Sequence, residues 1–240
     1  MITGSNCDEL EDFIKLFSSA FALKDLGKLS YFLGIEVLYD LDSVYLSQRK
    51  YIRDLLTKVD ILECKGIDTP MSSSKDHRLQ KNVKGEMGYY IEDPSHYRSI
   101  VGGLQYLVLT RPEIAYSIHK LSQYVSSPTL QHLMACKRVL RYLKETQDYG
   151  LKFVKEGELK VIAFTDADWG SDLDDRRSTG AYCVYLGNNL ISWSSKKQSV
   201  VTKSSAESEY RALAAAVSEI TWIKSLFLEI DLCCVEKPVI

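Results

Sequence analysis

The chain has 240 residues, of which 45% are hydrophobic and 26% are charged, and its formal net charge is −2. This composition is typical of a globular protein with one or two domains, and it excludes collagen-like and strongly disordered chains. The near-neutral charge gives no compositional support to a free-standing nucleic-acid binder, which is more often basic. Because the sequence contains no apolar run of membrane-spanning length and no signal peptide, we expect an intracellular, non-secreted protein.

Six cysteines are scattered along the chain, and no two of them have C-x-x-C spacing. This pattern indicates neither a zinc site nor a disulfide framework, so reduced thiols are predicted. The cysteines are Cys7, Cys64, Cys136, Cys183, Cys233 and Cys234.

The first third of the chain predicts a helix, a hairpin and a second helix. Apolar residues recur at helical spacing over 8–23, which predicts an amphipathic helix. Apolar and aromatic residues then predict a hairpin with strands over 30–38 and 43–46. A second amphipathic helix is predicted over 48–62, before a turn-rich segment at 68–71.

The middle third predicts a polar linker followed by a helical region. Residues 72–95 are rich in turn-forming types. Helices are predicted from Tyr97 through Leu107, over 114–125 and over 129–144, and a strand and turn over 150–157. Gly102 and Gly103 are poor helix formers, so we expect close packing against another element to compensate for them.

The helix over 129–144 carries a basic side as well as an apolar stripe. Two interpretations of these cations stay open, a solvated face and a surface for phosphate contact. The basic residues are Lys137, Arg138, Arg141 and Lys144.

The last third is organised around an apolar run that leads into Asp166, with Gly170 shortly after it. This pattern predicts a buried strand that ends on a carboxylate. Two more strands are predicted over 179–186 and 189–195, separated by Gly187-Asn188. A long helical pattern then opens with Ser204-Ser-Ala-Glu-Ser-Glu-Tyr210.

This order of strand, hairpin, strand and helix can bring two distant carboxylates together, as metal-dependent nucleases require. Ser204 and Glu207 fit a capping box, which leaves Glu209 free to point at the sheet. A carboxylate on the packed side of a helix is costly unless a partner such as a metal ion compensates for it. Asp168 competes with Asp166, because alternate residues of a strand share one face.

Four motifs in this region resemble the Pol polyprotein of copia-type retrotransposons, and the resemblance covers nearly the whole chain. Residues 159–230 resemble the first half of its ribonuclease H domain. The motifs are Phe164-Thr-Asp-Ala-Asp-Trp169, Asp175-Arg-Arg-Ser-Thr-Gly180, Leu190-Ile-Ser-Trp-Ser-Ser-Lys-Lys-Gln198 and Ser204-Ser-Ala-Glu-Ser-Glu-Tyr-Arg-Ala-Leu213.

The resemblance implies a fold that is α+β in its N-terminal half and α/β after it, with four parts. Residues 1–71 would be the end of the reverse transcriptase palm, with a primer-grip hairpin and the start of the thumb. A linker over 72–96 and a helical connection region over 97–157 would follow. Residues 158–240 would form the N-terminal half of an incomplete ribonuclease H-like domain.

The resemblance also implies site residues, cofactors and partners. Asp166 and Glu209 would be the catalytic carboxylates and the metal ligands, with Asp168 as a lesser candidate. The metal would be Mg²⁺, with Mn²⁺ as a substitute. The partners would be an RNA–DNA hybrid or a primer–template and the rest of the Pol polyprotein, with no membrane.

Nucleic-acid contacts are expected at the hairpin and on loops near the later strands. Tyr31-Phe-Leu-Gly34 corresponds to the primer grip, and core packing of the hairpin is the alternative for its apolar side chains. The expected contact residues are Tyr31, Leu33, Gly34, Arg176, Arg177, Lys196 and Lys197.

The family's polymerase aspartates and later nuclease carboxylate have no counterpart in the chain, and Pro238-Val-Ile240 resembles the start of a fourth nuclease strand. We therefore expect a fragment of an RNA-directed DNA polymerase and ribonuclease H polyprotein that is inactive as isolated. The alternative is a non-catalytic nucleic-acid-binding or protein-binding module derived from such an element.

Overall fold

A computed structural model of the chain describes residues 7–22, 27–72, 79–81, 86–155, 159–232 and 237–240. The chain divides into two compact units, residues 1–30 and 31–240. Several predictions fall outside the described residues: the predicted helix end at Leu23, residues 73–78 and 82–85 of the predicted linker, the turn that ends at 157, and Cys233 and Cys234.

The first unit contains helix α1, Cys7–Ala20, which agrees with most of the helix predicted over 8–23. Phe13, Phe17 and Phe21 follow one another at intervals of four residues. Their ring centroids are 4.6 Å and 5.6 Å apart, so they form an aromatic row along one side of the helix.

The second unit begins with an antiparallel sheet in the order β1-β2-β3-β4. Its strands are β1, Tyr31–Phe32; β2, Ile35–Tyr39; β3, Ser43–Ser47; and β4, Gly150–Val154. The prediction of one continuous strand over 30–38 is wrong. Leu33 and Gly34 have φ angles of 46° and 76°, and this left-handed turn folds β1 back onto β2.

Four helices form the main hydrophobic core of this unit. They are α2, Arg49–Lys58; α3, Pro94–Leu107; α4, Ala115–Ser122; and α5, Leu130–Glu145. Short 3₁₀ helices lie at Glu86–Gly88 and Pro112–Ile114. Ile52, Leu104, Leu121 and Leu140 are fully buried in one cluster, one from each helix. The domain boundaries implied by the resemblance stay a prediction.

The helix predicted to run to Leu62 ends at Lys58. Asp60 has a φ of 57°, and a residue in this left-handed region does not continue an α-helix. Leu79, predicted to lie in a polar loop, is buried in the helical core, and Tyr124 donates a hydrogen bond to its carbonyl oxygen at 3.0 Å. The Leu79 side chain thus fixes this part of the predicted linker to the helical core.

The predicted basic side of α5 holds the segment that follows α2. Arg138 donates to Thr69 Oγ1 at 2.7 Å, Arg141 to the Lys65 carbonyl at 2.7 Å, and Lys144 to the Cys64 carbonyl at 2.5 Å. These three cations are therefore engaged within the fold.

The second sheet is antiparallel in the order β5-β6-β7, with strands Val161–Asp168, Thr179–Leu186 and Asn189–Lys197. Helix α6, Ser205–Glu229, covers one of its faces. The core between them contains Val161, Ala163 and Val184 of the sheet and Ile220, Ile223 and Phe227 of the helix.

The strand start predicted at 238–240 pairs with β5 at one position. Val239 forms a parallel bridge with Ile162. The Ala163 N–H donates to the Val239 carbonyl at 2.8 Å, and the Val239 N–H donates to the Val161 carbonyl at 3.1 Å. Of the helices that the structure describes, none combines the length and apolar character of a membrane span.

Candidate nuclease-like cleft and nucleic-acid interface

An open cleft of about 580 Å³ separates the helical region from the second sheet. Glu113 and Tyr116 line one wall, and Asp166, Asp168 and Trp193 line the other. Trp193 also joins the sheet to the helical region, because its Nε1–H donates to the Val108 carbonyl at 3.2 Å.

Asp166 and Asp168 lie on the cleft face of β5, as strand alternation predicts. Both are exposed, and Phe164 shares their face. Val161 and Ala163 occupy the opposite face, where they pack against α6. The structure therefore presents two carboxylates side by side to the cleft.

Glu209 is exposed in the second turn of α6 and does not line the cleft. The prediction that Glu209 lies on the packed side of the helix is wrong, because that side carries Ser208, Ala212 and Ala216, which are buried. The predicted capping box forms in part: Ser204 Oγ accepts a hydrogen bond from the Glu207 N–H at 3.2 Å. The Glu207 carboxylate accepts from the Lys203 N–H at 2.8 Å rather than from the N–H of Ser204. The described contacts do not bring Glu209 to the cleft carboxylates.

Metal ligation needs several converging donors. Within the described ranges, no group of three or more His, Cys, Asp or Glu side chains is placed to hold a metal ion. The described part of the chain therefore does not fit a complete metal site.

The predicted primer-grip residues form an exposed hairpin tip. Tyr31, Phe32 and Leu33 are 49%, 44% and 69% exposed, so the alternative that they are hairpin core is wrong. Tyr106 Oη of helix α3 donates a hydrogen bond to the Leu33 carbonyl, which holds the turn against that helix. The Lys50 ammonium lies 5.6 Å from the Tyr31 ring centroid. These exposed apolar side chains, on a turn held by a hydrogen bond, are available to contact a ligand.

The four cations predicted to meet phosphates have different surroundings, and the prediction that all four lie on loops is wrong, because Lys196 and Lys197 end strand β7. Lys197 Nζ lies 2.9 Å from Asp172 and 2.8 Å from Asp175. Arg177 Nε lies 3.6 Å from Asp175. Arg176 is exposed, with a φ of 60°.

Lys196 is also exposed, and it forms no ion pair with any residue that the structure describes. Its neighbour Lys197 faces inward, because alternate residues of a strand point to opposite sides.

Asp172 was not predicted as a functional residue from the sequence, although it joins α4 to β7. Its side chain is 2% exposed and accepts from Lys120 of α4 at 2.6 Å and from Lys197 of β7 at 2.9 Å. Burial opposes ionisation, but the hydrogen bonds from the two lysines outweigh it, so the pKa of Asp172 lies below its usual range. No local pattern signals this role, since Lys120 is 52 residues away in sequence.

Two further residues that the sequence did not reveal fix the helical wall. Arg111 is buried and contacts Glu113 at 2.6 Å and the Thr146 carbonyl at 3.0 Å. His119 Nε2 accepts from the Lys197 N–H at 2.9 Å, which joins α4 to β7. Burial lowers the pKa of His119, and nearby lysines lower it further.

Residues 1–73 match a family model described as reverse transcriptase (RNA-dependent DNA polymerase). Members of that family use divalent metal ions. No solved structure matches the chain.

Several relatives extend the match to the whole chain. It is 44% identical over 240 residues to the Pol polyprotein from transposon RE1 of Arabidopsis thaliana, and the match covers all of this chain and 16% of that polyprotein. It is 33% identical over 220 residues to the Pol polyprotein from transposon TNT 1-94 of Nicotiana tabacum, covering 90% of this chain and 16% of that protein.

A mitochondrial protein of Arabidopsis thaliana, itself uncharacterised, is of similar length to this chain. It is 44% identical over 222 residues, and the match covers 92% of this chain and 90% of that protein. The chain therefore corresponds to a short part of the polyproteins and to nearly all of the mitochondrial protein. On these matches and on the motifs of its second half, the chain belongs to the Pol polyprotein family of copia-type retrotransposons.

Proposed function

We propose that the chain acts as a segment of a copia-type Pol polyprotein whose activities are RNA-directed DNA synthesis and hydrolysis of RNA in RNA–DNA hybrids. In this proposal, residues 1–71 belong to the reverse transcriptase, and residues 158–240 form the first half of a ribonuclease H-like domain. One observation carries the nuclease assignment: Asp166 and Asp168 stand side by side at the end of β5, exposed to an open cleft.

The hairpin tip is the proposed contact for the primer strand. Tyr31 and Leu33 offer exposed apolar surface, and Gly34 permits the left-handed turn that presents them. Bases stack on an aromatic ring such as that of Tyr31 without regard to sequence. This matches the requirement of a polymerase that handles any primer.

The metal requirement limits what the chain does alone. Asp166 and Glu209 are the proposed ligands for Mg²⁺, or for Mn²⁺ in its place. Within the described residues Glu209 does not reach Asp166, and no group of three ligands forms, so we propose that binding needs a rearrangement of α6 and groups from other parts of the polyprotein. As isolated, the chain then has neither polymerase nor substantial ribonuclease H activity.

Incubation of the purified chain with a labelled RNA–DNA hybrid and Mg²⁺ or Mn²⁺ tests this proposal. We expect the hybrid to bind in a salt-dependent way and its RNA strand to stay intact. The Asp166→Asn variant is the control and should behave like the wild type. RNA cleavage that disappears in Asp166→Asn would show that the isolated chain is an active nuclease.

A non-catalytic nucleic-acid-binding module derived from the same element is the second candidate. Lys196, which forms no ion pair within the described ranges, and the exposed tip at Tyr31 favour it. It predicts the same binding without cleavage even when the remainder of the polyprotein is added. Restoration of hybrid cleavage by that addition would favour the first proposal.

A further inference from the structure

A second pocket, of about 410 Å³, lies between α6 and the strands β6 and β7. Polar side chains form a larger share of its lining than of the lining of the cleft. Lys196 of β7 and Arg211 of α6 both line it, together with Ser194, Gln198 and Ser218. We refer to it as the Lys196–Arg211 pocket.

One glycine explains why these two cations share a pocket. A Cβ atom at Gly180 would lie 3.3 Å from the Ala212 Cβ, so the glycine lets α6 approach β6 closely. Lys196 is the cross-strand partner of Gly180, and Arg211 directly precedes Ala212. The contact between Gly180 and Ala212 therefore brings both cations to the same place.

The cations of this pocket are available to a ligand to different degrees. Lys196 is exposed and unpaired within the described part of the chain. Arg211 Nη2 lies 3.0 Å from Glu207 Oε1, but this is an exposed pair, with side chains 47% and 35% exposed. Exposed pairs contribute little and exchange readily with another anion. Lys197 also lines the pocket, but its ammonium group is held by Asp172.

Glu219 is the carboxylate in the pocket lining, and it is already engaged. Its Oε1 accepts a hydrogen bond from Ser192 Oγ at 2.6 Å. The lining carries a net positive charge because Lys196 and Arg211 outnumber this single carboxylate. An arginine fork and a lysine ammonium group together are a common arrangement for binding phosphate.

We propose that the Lys196–Arg211 pocket binds a backbone phosphate of the nucleic acid, and that Glu207 competes with this phosphate for Arg211. The inference rests on the proposed function and deepens it by assigning phosphate contact to particular residues. It assigns phosphate contact to Lys196 and not to Lys197, although the sequence predicted contact for both. It also adds Arg211 to the predicted contact residues.

Fluorescence anisotropy with a labelled RNA–DNA hybrid tests the assignment over a series of KCl concentrations, without divalent ions. We expect Lys196→Met and Arg211→Met each to weaken binding and to reduce the slope of log affinity against log salt, by up to about 1 per cation removed. Lys224→Met is the matched control, because Lys224 is an exposed cation of α6 outside the pocket. It should leave the slope at the wild-type value.

Glu207→Gln gives a result that misfolding would not produce. The glutamine retains a capping carbonyl oxygen but releases Arg211, so the variant should bind the hybrid several-fold more tightly than the wild type at low salt. Equal slopes for the wild type, Lys196→Met and Arg211→Met would overturn the assignment while leaving hybrid binding in place. An equal loss in Lys224→Met would do the same. If the wild type does not bind the hybrid at any salt concentration, both the assignment and the proposed function fail.

Discussion

His132 is an ionisable residue that is completely buried and that connects three parts of the helical region. Its Nδ1 accepts from the Thr129 N–H at 2.9 Å, so the neutral ring carries its proton on Nε2 and donates to the Gln80 carbonyl at 3.1 Å. The ring stacks on Tyr124, with the centroids 3.9 Å apart. Burial lowers the pKa of His132 to about 4.

This lowered pKa predicts a loss of stability in mild acid. The unfolded chain binds a proton at His132 near its ordinary pKa of about 6.5, whereas the folded chain does not until about pH 4. The free energy of unfolding should therefore be highest above about pH 6.5 and should fall, by up to about 3 kcal/mol, as the pH drops to about 4. Urea unfolding at several pH values measures this.

Two variants separate His132 from the other titrating groups, among which His119 also has a pKa lowered by burial and adds to the same slope. His132→Asn keeps an acceptor for Thr129 but cannot titrate, so its unfolding free energy should be lower overall and flatter over this pH range. His96→Asn, at an exposed histidine, should retain the wild-type slope. Asp172 does not interfere, because its pKa is lowered from about 3.8 and its contribution is lost only below that pH. Equal slopes in the wild type and His132→Asn would contradict the account.

Among the secondary-structure elements, helix α3 has two adjacent glycines, Gly102 and Gly103, with different surroundings. A Cβ atom at Gly103 would lie 2.9 Å from Leu55 Cδ1 of α2, a buried side chain, whereas a Cβ atom at Gly102 meets nothing within 4 Å. The sequence predicts close packing for both glycines, and the structure confirms it for Gly103 alone.

This difference predicts opposite effects for the same substitution at neighbouring positions. Gly102→Ala should raise the free energy of unfolding by about 1 kcal/mol, because alanine is the better helix former. Gly103→Ala gains the same propensity but overpacks the contact with Leu55, which costs about 1–3 kcal/mol. Chemical denaturation of the two variants measures the difference. Equal stabilisation by both would show that α2 and α3 are not packed as described.

For the whole molecule, features set by residues close in sequence could be predicted, and contacts between residues far apart in sequence could not. Local periodicity predicted α1, α5 and the strands β5 to β7 closely. It also predicted that Asp166 and Asp168 share a face, because the strand period is two. The sharp turn at Leu33 was missed, since leucine is rare in the left-handed region.

Contacts between distant segments could not be predicted in this way. Strand β4 pairs with β3, about a hundred residues earlier. The Asn189 side chain, at the start of β7, accepts a hydrogen bond from the Val154 N–H of β4 and donates one to the Val154 carbonyl. The ion pairs of Asp172 with Lys120 and Lys197 belong to the same class. Nothing in the neighbouring sequence of any of these residues indicates its partner.

We propose that the cleft of this chain holds only part of a metal site. Titration of the purified chain with Mn²⁺, followed by electron paramagnetic resonance, tests this directly. We expect weak, non-saturating binding that is the same in the wild type and in Asp166→Asn/Glu209→Gln. A tight site of defined stoichiometry in the wild type that is lost in the double variant would contradict it.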